Sequence, residues 1–132
     1  MVCAARGQVD FTEVAQAALR ALGEDDAPTD LALALDYRIR HLLVDEFQDT
    51  SISQYELIAR LTAGWQPGDG RTLFVVGDPM QSIYRFRKAE VGLYLRAWRE
   101  GIGPVVLERL VLAVNFRSTR AIVGWFNGVF ER

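Results

Sequence analysis

Apolar positions along this chain follow two patterns that alternate: stripes at helical spacing and short uninterrupted runs. Phe11, Val14, Ala15, Ala18 and Leu22 recur at the period of a helix, with Asp10 and Glu13 placed as a capping pair. Gly23 to Thr29, acidic and containing Pro28, predicts a loop. Leu31, Leu33 and Leu35 alternate like a strand, yet Leu31 and Leu35 also share a helix face; a short helix is favoured before the run His41–Val44. Ser51 and Gln54 form a second capping pattern, with Tyr55, Ile58 and Leu61 marking a buried face as far as Gly64. Trp65 to Arg71, with Pro67, Gly68 and Gly70, predicts a loop. Val91, Tyr94, Leu95 and Trp98 fall on one helix face, as do Ile122, Trp125, Phe126 and Val129, and both stripes are expected in the core.

The uninterrupted runs His41–Val44, Leu73–Val76 and Val111–Val114 suit strands buried on both faces of a parallel sheet. Helices between such strands imply an α/β fold, a three-layer parallel sheet with right-handed crossovers.

Composition narrows the class. A chain of 132 residues that is 50% hydrophobic supports one core and leaves little room for a second. With 15 basic against 17 acidic residues the net charge is −2, so nucleic-acid binding would have to come from a local patch, for which Arg85, Arg87 and Lys88 are the candidates. Cys3 is the sole cysteine, which excludes an internal disulfide or a cysteine-based metal cluster and points to a reducing compartment. His41 opens a strand and reads as structural rather than as a ligand. No apolar stretch approaches the roughly 20 residues of a membrane span, and the N-terminus lacks the apolar region of a signal peptide. A soluble cytoplasmic protein is expected, with no membrane partner.

The candidate chemistry lies just beyond the strands. His41-Leu42-Leu43-Val44-Asp45-Glu46-Phe47-Gln48-Asp49-Thr50 delivers carboxylates at the carboxyl end of a strand, where parallel sheets bind ligands. Magnesium prefers oxygen ligands and keeps several waters, so one carboxylate can hold it while its neighbour addresses the attacking water. A solvated acidic turn capping a helix is the plainer account of the same residues. Downstream, Gly77 and Pro79 turn the chain sharply and put Gln81 where its amide can meet a phosphate. Tyr84, Arg85, Phe86, Arg87 and Lys88 then interleave rings with cations, a pattern that suits single-stranded nucleic acid because rings stack on bases and cations meet the backbone. An amphipathic surface segment with buried rings would read the same way. Asn115-Phe116-Arg117-Ser118 adds an arginine able to clamp a phosphate.

In this order the three runs resemble the superfamily 1 helicases of the UvrD/Rep type, from Asp10 onward. Asp45 to Thr50 looks like that family's Walker B box, Gly77 to Arg87 like its third motif and Leu112 to Ser118 like its fourth. The resemblance implies a partial RecA-like domain that uses ATP and Mg²⁺ to translocate on single-stranded DNA and unwind duplex DNA. It makes Asp45 the metal aspartate and Glu46 the general base beside the metal. By the same resemblance Gln48 and Gln81 link nucleotide state to DNA grip, with Gln81 near the terminal phosphate. Arg117 touches that phosphate, Phe116 stacks near the adenine, and Tyr84 and Phe86 contact DNA bases. The wording of the third motif is closest to the helicase–nuclease branch, RecB and AddA, which adds further helicase domains, a nuclease domain and partner subunits as expected associates.

Three features depart from the family. Lys88 stands where Gly is frequent, and Met80 where a polar residue is commoner. The sequence also contains no Gly-rich loop ending in Gly-Lys-Ser/Thr, the element whose amides and lysine cradle phosphates. The expectation is therefore an interior piece of a first motor domain that is inactive alone, whose sheet exposes an unpaired edge open to self-association. The rival reading is a non-catalytic DNA-binding or scaffold remnant of a helicase.

Overall fold

The structure is a computed structural model that describes residues 9–24, 27–83 and 90–130. Five helices and four short strands are assigned among them. Helix α1 (Phe11–Leu22) starts where expected: the Asp10 carboxylate accepts the Glu13 amide, and Glu13 returns the contact to the Asp10 amide. Within the predicted loop after it, β1 (Gly23–Glu24) and β2 (Ala27–Pro28) pair antiparallel. The ambiguous leucine run resolves as helix α2 (Asp30–Arg38), capped by the Thr29 hydroxyl. Its leucines are poorly covered, with Leu31 at 49% and Leu33 at 57% exposure.

Strands β3 (His41–Val44) and β4 (Thr72–Val75) pair in parallel, His41 beside Thr72 and Val44 beside Val75. Helix α3 (Ile52–Leu61) connects them, its start fixed by the Ser51–Gln54 capping box. At the foot of the pair, His41 Nδ1 lies 2.9 Å from the Thr72 hydroxyl. Helix α4 (Val91–Glu100) follows β4, and helix α5 (Arg120–Val129) ends the described chain.

The core is built on one face of the strand pair. Phe47, Tyr55, Ile58, Leu93, Ala97 and Ile102 are buried together, and Leu42, Val44, Leu73 and Val75 pack against them. Side chains alternate across a strand, so Leu43 and Phe74 point the other way, and they are 68% and 53% exposed. The reading of strands buried on both faces thus fails within the described residues, because helices cover a single face. The run Val111–Val114 is no strand either; it is irregular, and Leu112 is 93% exposed. The described residues therefore form a mixed helix–strand fold with a parallel two-stranded sheet.

The two aromatic stripes also come out differently from the sequence reading. In α4 the buried positions are Leu93 and Ala97, while Tyr94 and Trp98 are half-buried and Leu95 is exposed. In α5 the whole stripe of Ile122, Trp125, Phe126 and Val129 faces solvent. Periodicity marks which residues share a face, but a face becomes core only when another element covers it. No helix among the described residues is long and apolar enough to cross a membrane.

A candidate nucleotide site at the ends of the parallel strands

The chain leaves β3 at Val44 and reverses immediately. Asp45 Oδ1 accepts the Glu46 amide at 2.9 Å, and Glu46 adopts a left-handed backbone with φ 50° and ψ 41°. For a residue that carries a β-carbon this conformation costs about 1–2 kcal/mol, and such strain concentrates at functional sites. The turn drops Phe47 into the core, where it is fully buried against Tyr55 and Tyr94 at ring separations of 6.3 and 6.4 Å. Burying such a side chain contributes about 1.5–3 kcal/mol, enough to offset the strained turn. The Phe47 amide donates to Val76 O at 2.9 Å and the Val76 amide to Val44 O at 2.8 Å, so the parallel ladder runs one step past the strands.

With Phe47 anchored inward, the Asp45 and Glu46 carboxylates stand exposed at the strand's carboxyl end. No group of three or more potential metal-ligating His, Cys, Asp or Glu side chains occurs among the described residues. Two adjacent carboxylates with an all-oxygen donor set fit a hard divalent cation that takes its remaining ligands from water and from phosphate oxygens. They do not fit a closed protein cage.

Gln48 organises the loop. Its side chain is 1% exposed and spans two motifs: Nε2 donates to Glu46 Oε2 at 2.6 Å, and Oε1 accepts the Asp78 amide at 3.0 Å. The close approach requires Gly77, since a β-carbon there would lie 2.7 Å from Gln48 Oε1 and 3.1 Å from Tyr94 Cε2. The Tyr94 hydroxyl donates to Gly77 O at 3.3 Å and closes the corner from α4.

After Gly77 the chain enters a 3-10 turn, Pro79–Gln81, capped by the Asp78 carboxylate, which accepts the Met80 amide. Gln81 Nε2 donates to Asp78 Oδ2 at 2.8 Å. This contact, with the Met80 amide, holds the Asp78 carboxyl below its usual range. Gln81 is exposed beyond the strand end as expected, with its amide nitrogen engaged by Asp78. Ser82 Oγ donates to Asp49 Oδ1 at 3.1 Å, a further tie between the two loops.

The fourth motif is not drawn into this network. Asn115 Oδ1 accepts the amides of Arg117 and Ser118, both at 3.0 Å, forming a tight turn before α5. Phe116 is 92% exposed, and among the described residues no hydrogen bond joins this turn to the carboxylate loop. Tyr84, Arg85, Phe86, Arg87 and Lys88 lie outside the described residues. A separate cleft of about 230 Å³ opens near Leu22, Pro28, Leu33, Arg60 and Leu61, and no residue of the carboxylate loop lines it.

Sequence reasoning passed over Asp49, Asp78, Ser82 and Tyr94. For Asp78 a signal existed, since Asp before Pro commonly caps a turn. The Tyr94 hydroxyl gave none, because its partner is a backbone carbonyl distant in sequence.

The UvrD/REP helicase N-terminal domain profile matches residues 1–100, which include both loops and α4. The chain is 42% identical over 127 residues to an ATP-dependent helicase/nuclease subunit from Exiguobacterium sibiricum, covering 96% of this chain and 11% of that protein. Proteins of the same name from Listeria welshimeri and Pelotomaculum thermopropionicum are each 37% identical, over 131 and 137 residues. Those matches cover 96% and 98% of this chain, and 10% and 11% of the relatives. The chain thus spans about a tenth of the length of these relatives. The chain belongs to the UvrD/REP helicase family and carries sequence of that family's N-terminal domain.

Proposed function

We propose that this chain is a segment of the motor of an ATP-dependent DNA helicase of the helicase/nuclease type, and that it supplies the residues that hydrolyse ATP and part of the single-stranded DNA platform. The parallel pair and its helices are completed in the full-length protein to a three-layer RecA-like sheet. The observation that carries the reading is Gln48, buried and bonded at once to the Glu46 carboxylate and the Asp78 amide. A solvated acidic turn has no need of such a bridge.

Asp45 holds the metal and Glu46 acts as base. Mg²⁺, when bound, neutralises charge on the phosphates during in-line attack. Glu46 accepts the proton of the attacking water, and Gln48 restrains one of its carboxylate oxygens and so orients the other. Gln81 exchanges its Asp78 contact for the terminal phosphate, Arg117 clamps that phosphate, and Phe116 stacks on the adenine. Tyr84, Arg85, Phe86, Arg87 and Lys88 engage the DNA strand.

The test separates the two acids in the full-length protein with single-stranded DNA present. Asp45→Asn is expected to weaken Mg²⁺-dependent nucleotide binding as well as hydrolysis. Glu46→Gln keeps the shape and removes the base, so binding survives while turnover falls by roughly 10²–10⁴-fold. Near-parental hydrolysis by Glu46→Gln, or loss of binding equal to that of Asp45→Asn, overturns the assignment.

A further inference from the structure

Tyr84 to Lys88, the ring-and-cation run, lie in sequence between two described residues that both return to the carboxylate loop. On one side Ser82 Oγ donates to Asp49 Oδ1 at 3.1 Å, and it also lies 3.5 Å from Gln48 O. On the other, the Glu90 amide donates to Thr50 O at 3.2 Å. The two flanks of one segment are thus fastened to consecutive residues, Asp49 and Thr50, at the end of the turn that begins with Glu46. The Glu90 contact is backbone to backbone, whereas the Ser82 contact is made by a side chain to a carboxylate. Ser82 and Asp49 are both half-buried, where a charge-assisted bond is less exposed to competition from water.

We propose that Ser82 and Asp49 are a pair of positioning residues whose hydrogen bond transmits the state of the nucleotide loop to the DNA-contacting run. The proposal rests on the motor reading above and adds to it a second route between the loops. Gln48 joins Glu46 to the Asp78 backbone, upstream of the 3-10 turn; the Asp49–Ser82 bond joins the far end of the same loop to the threshold of the run. A displacement of the Glu46–Asp49 turn on nucleotide binding therefore reaches position 82 without passing through Gln81. Neither Ser82 nor Asp49 needs to touch nucleotide or DNA.

The coupling is measured in the full-length protein as the ratio of single-stranded oligonucleotide affinities with and without a non-hydrolysable ATP analogue. Linkage requires the same factor in the analogue's affinity with and without the oligonucleotide, and such factors typically span about 5–150-fold. Ser82→Ala is expected to bind each ligand alone as the wild type does while its coupling ratio falls at least about fivefold. Ser82→Thr retains the hydroxyl and should retain the ratio. Asp49→Ala, which also removes the 3.4 Å contact from Gln48 Nε2 to Asp49 Oδ2, should lose at least as much as Ser82→Ala, and the double variant no more than Asp49→Ala alone. An unchanged ratio in Ser82→Ala overturns the proposal, as does a Thr variant as uncoupled as the Ala one. So does a Ser82→Ala protein that loses both affinities while keeping their ratio, since that is a packing defect. A wild type whose DNA affinity ignores the nucleotide overturns the motor reading and this proposal with it, whereas a coupled wild type beside an equally coupled Ser82→Ala overturns this proposal alone.

Discussion

Gln48 and Asp78, 30 residues apart in sequence, are joined by a hydrogen bond from the Asp78 amide to Gln48 Oε1 at 3.0 Å, while the other end of the same side chain holds Glu46 at 2.6 Å. A single amide group thereby fixes the distance between the two loops that follow β3 and β4. An uncharged amide suits this place, since it donates to a carboxylate at one atom and accepts from a backbone N–H at the other.

Replacing Gln48 with Leu roughly keeps the volume and removes its contacts with Glu46 and Asp78, together with the longer one to Asp49 Oδ2 at 3.4 Å. The Asp78 amide then loses its acceptor, which costs about 1–3 kcal/mol, read as a lower urea midpoint at unchanged slope. Gln48→Glu keeps the acceptor but sets a second carboxylate against Glu46, and this repulsion should likewise lower the urea midpoint; an unchanged midpoint would place the two side chains apart.

Gly77 is the sequence's concession to this bridge. A β-carbon at that position would meet Gln48 Oε1 at 2.7 Å and the Gln48 backbone nitrogen at 3.2 Å, so Gly77→Ala should destabilise by about 1–3 kcal/mol. Gly124, inside α5 with nothing within 4 Å, is the internal control. Gly124→Ala should stabilise by about 0.5–1 kcal/mol. Urea denaturation of both variants checks the pair, and a Gly77→Ala protein as stable as Gly124→Ala would show that the corner at Gly77 is open.

Asp69 closes the loop between α3 and β4. Its carboxylate accepts the amides of Gln66 and Arg71, both at 2.8 Å, which together with the Arg71 guanidinium lower its pKa from 3.8 to about 2. A depressed carboxylate contributes stability that is present above its unfolded pKa and lost as pH falls through the folded value. The window therefore lies between 3.8 and about 2. The Asp69 carboxyl resonance should titrate near the lower figure, and Asp69→Asn should remove its share of the acid sensitivity in that window. Titration near the ordinary value would mean that the loop contacts do not persist in solution.

For the ring-and-cation run, Phe86→Ala in the full-length protein should weaken single-stranded DNA binding by about 1–3 kcal/mol for the lost base stack. Arg85→Ala or Arg87→Ala should instead flatten the dependence of binding on salt. Intact affinity and unwinding in Phe86→Ala would assign that ring to the core.

Local rules were legible in the sequence because they depend on neighbours a few residues apart. The capping pairs at Asp10 and Ser51, the strands at His41 and Leu73 and the helical stripe of α1 all follow from side chains that meet within a single turn or strand. The motif order likewise carried the family and its candidate acids, Asp45 and Glu46. Burial was not legible in the same way: Leu43, the run at Val111 and the stripe of α5 are as apolar as core positions, yet all face solvent in the described residues. Apolar composition states that a surface gains from being covered, whereas coverage needs a second element at the right distance, and only tertiary structure supplies one. The site divides along the same line. Sequence placed Gln48 beside the acids, but its bond to Asp78 and the tie from Asp49 to Ser82 depend on how β3 and β4 pair, because that pairing brings the two loops within hydrogen-bonding reach.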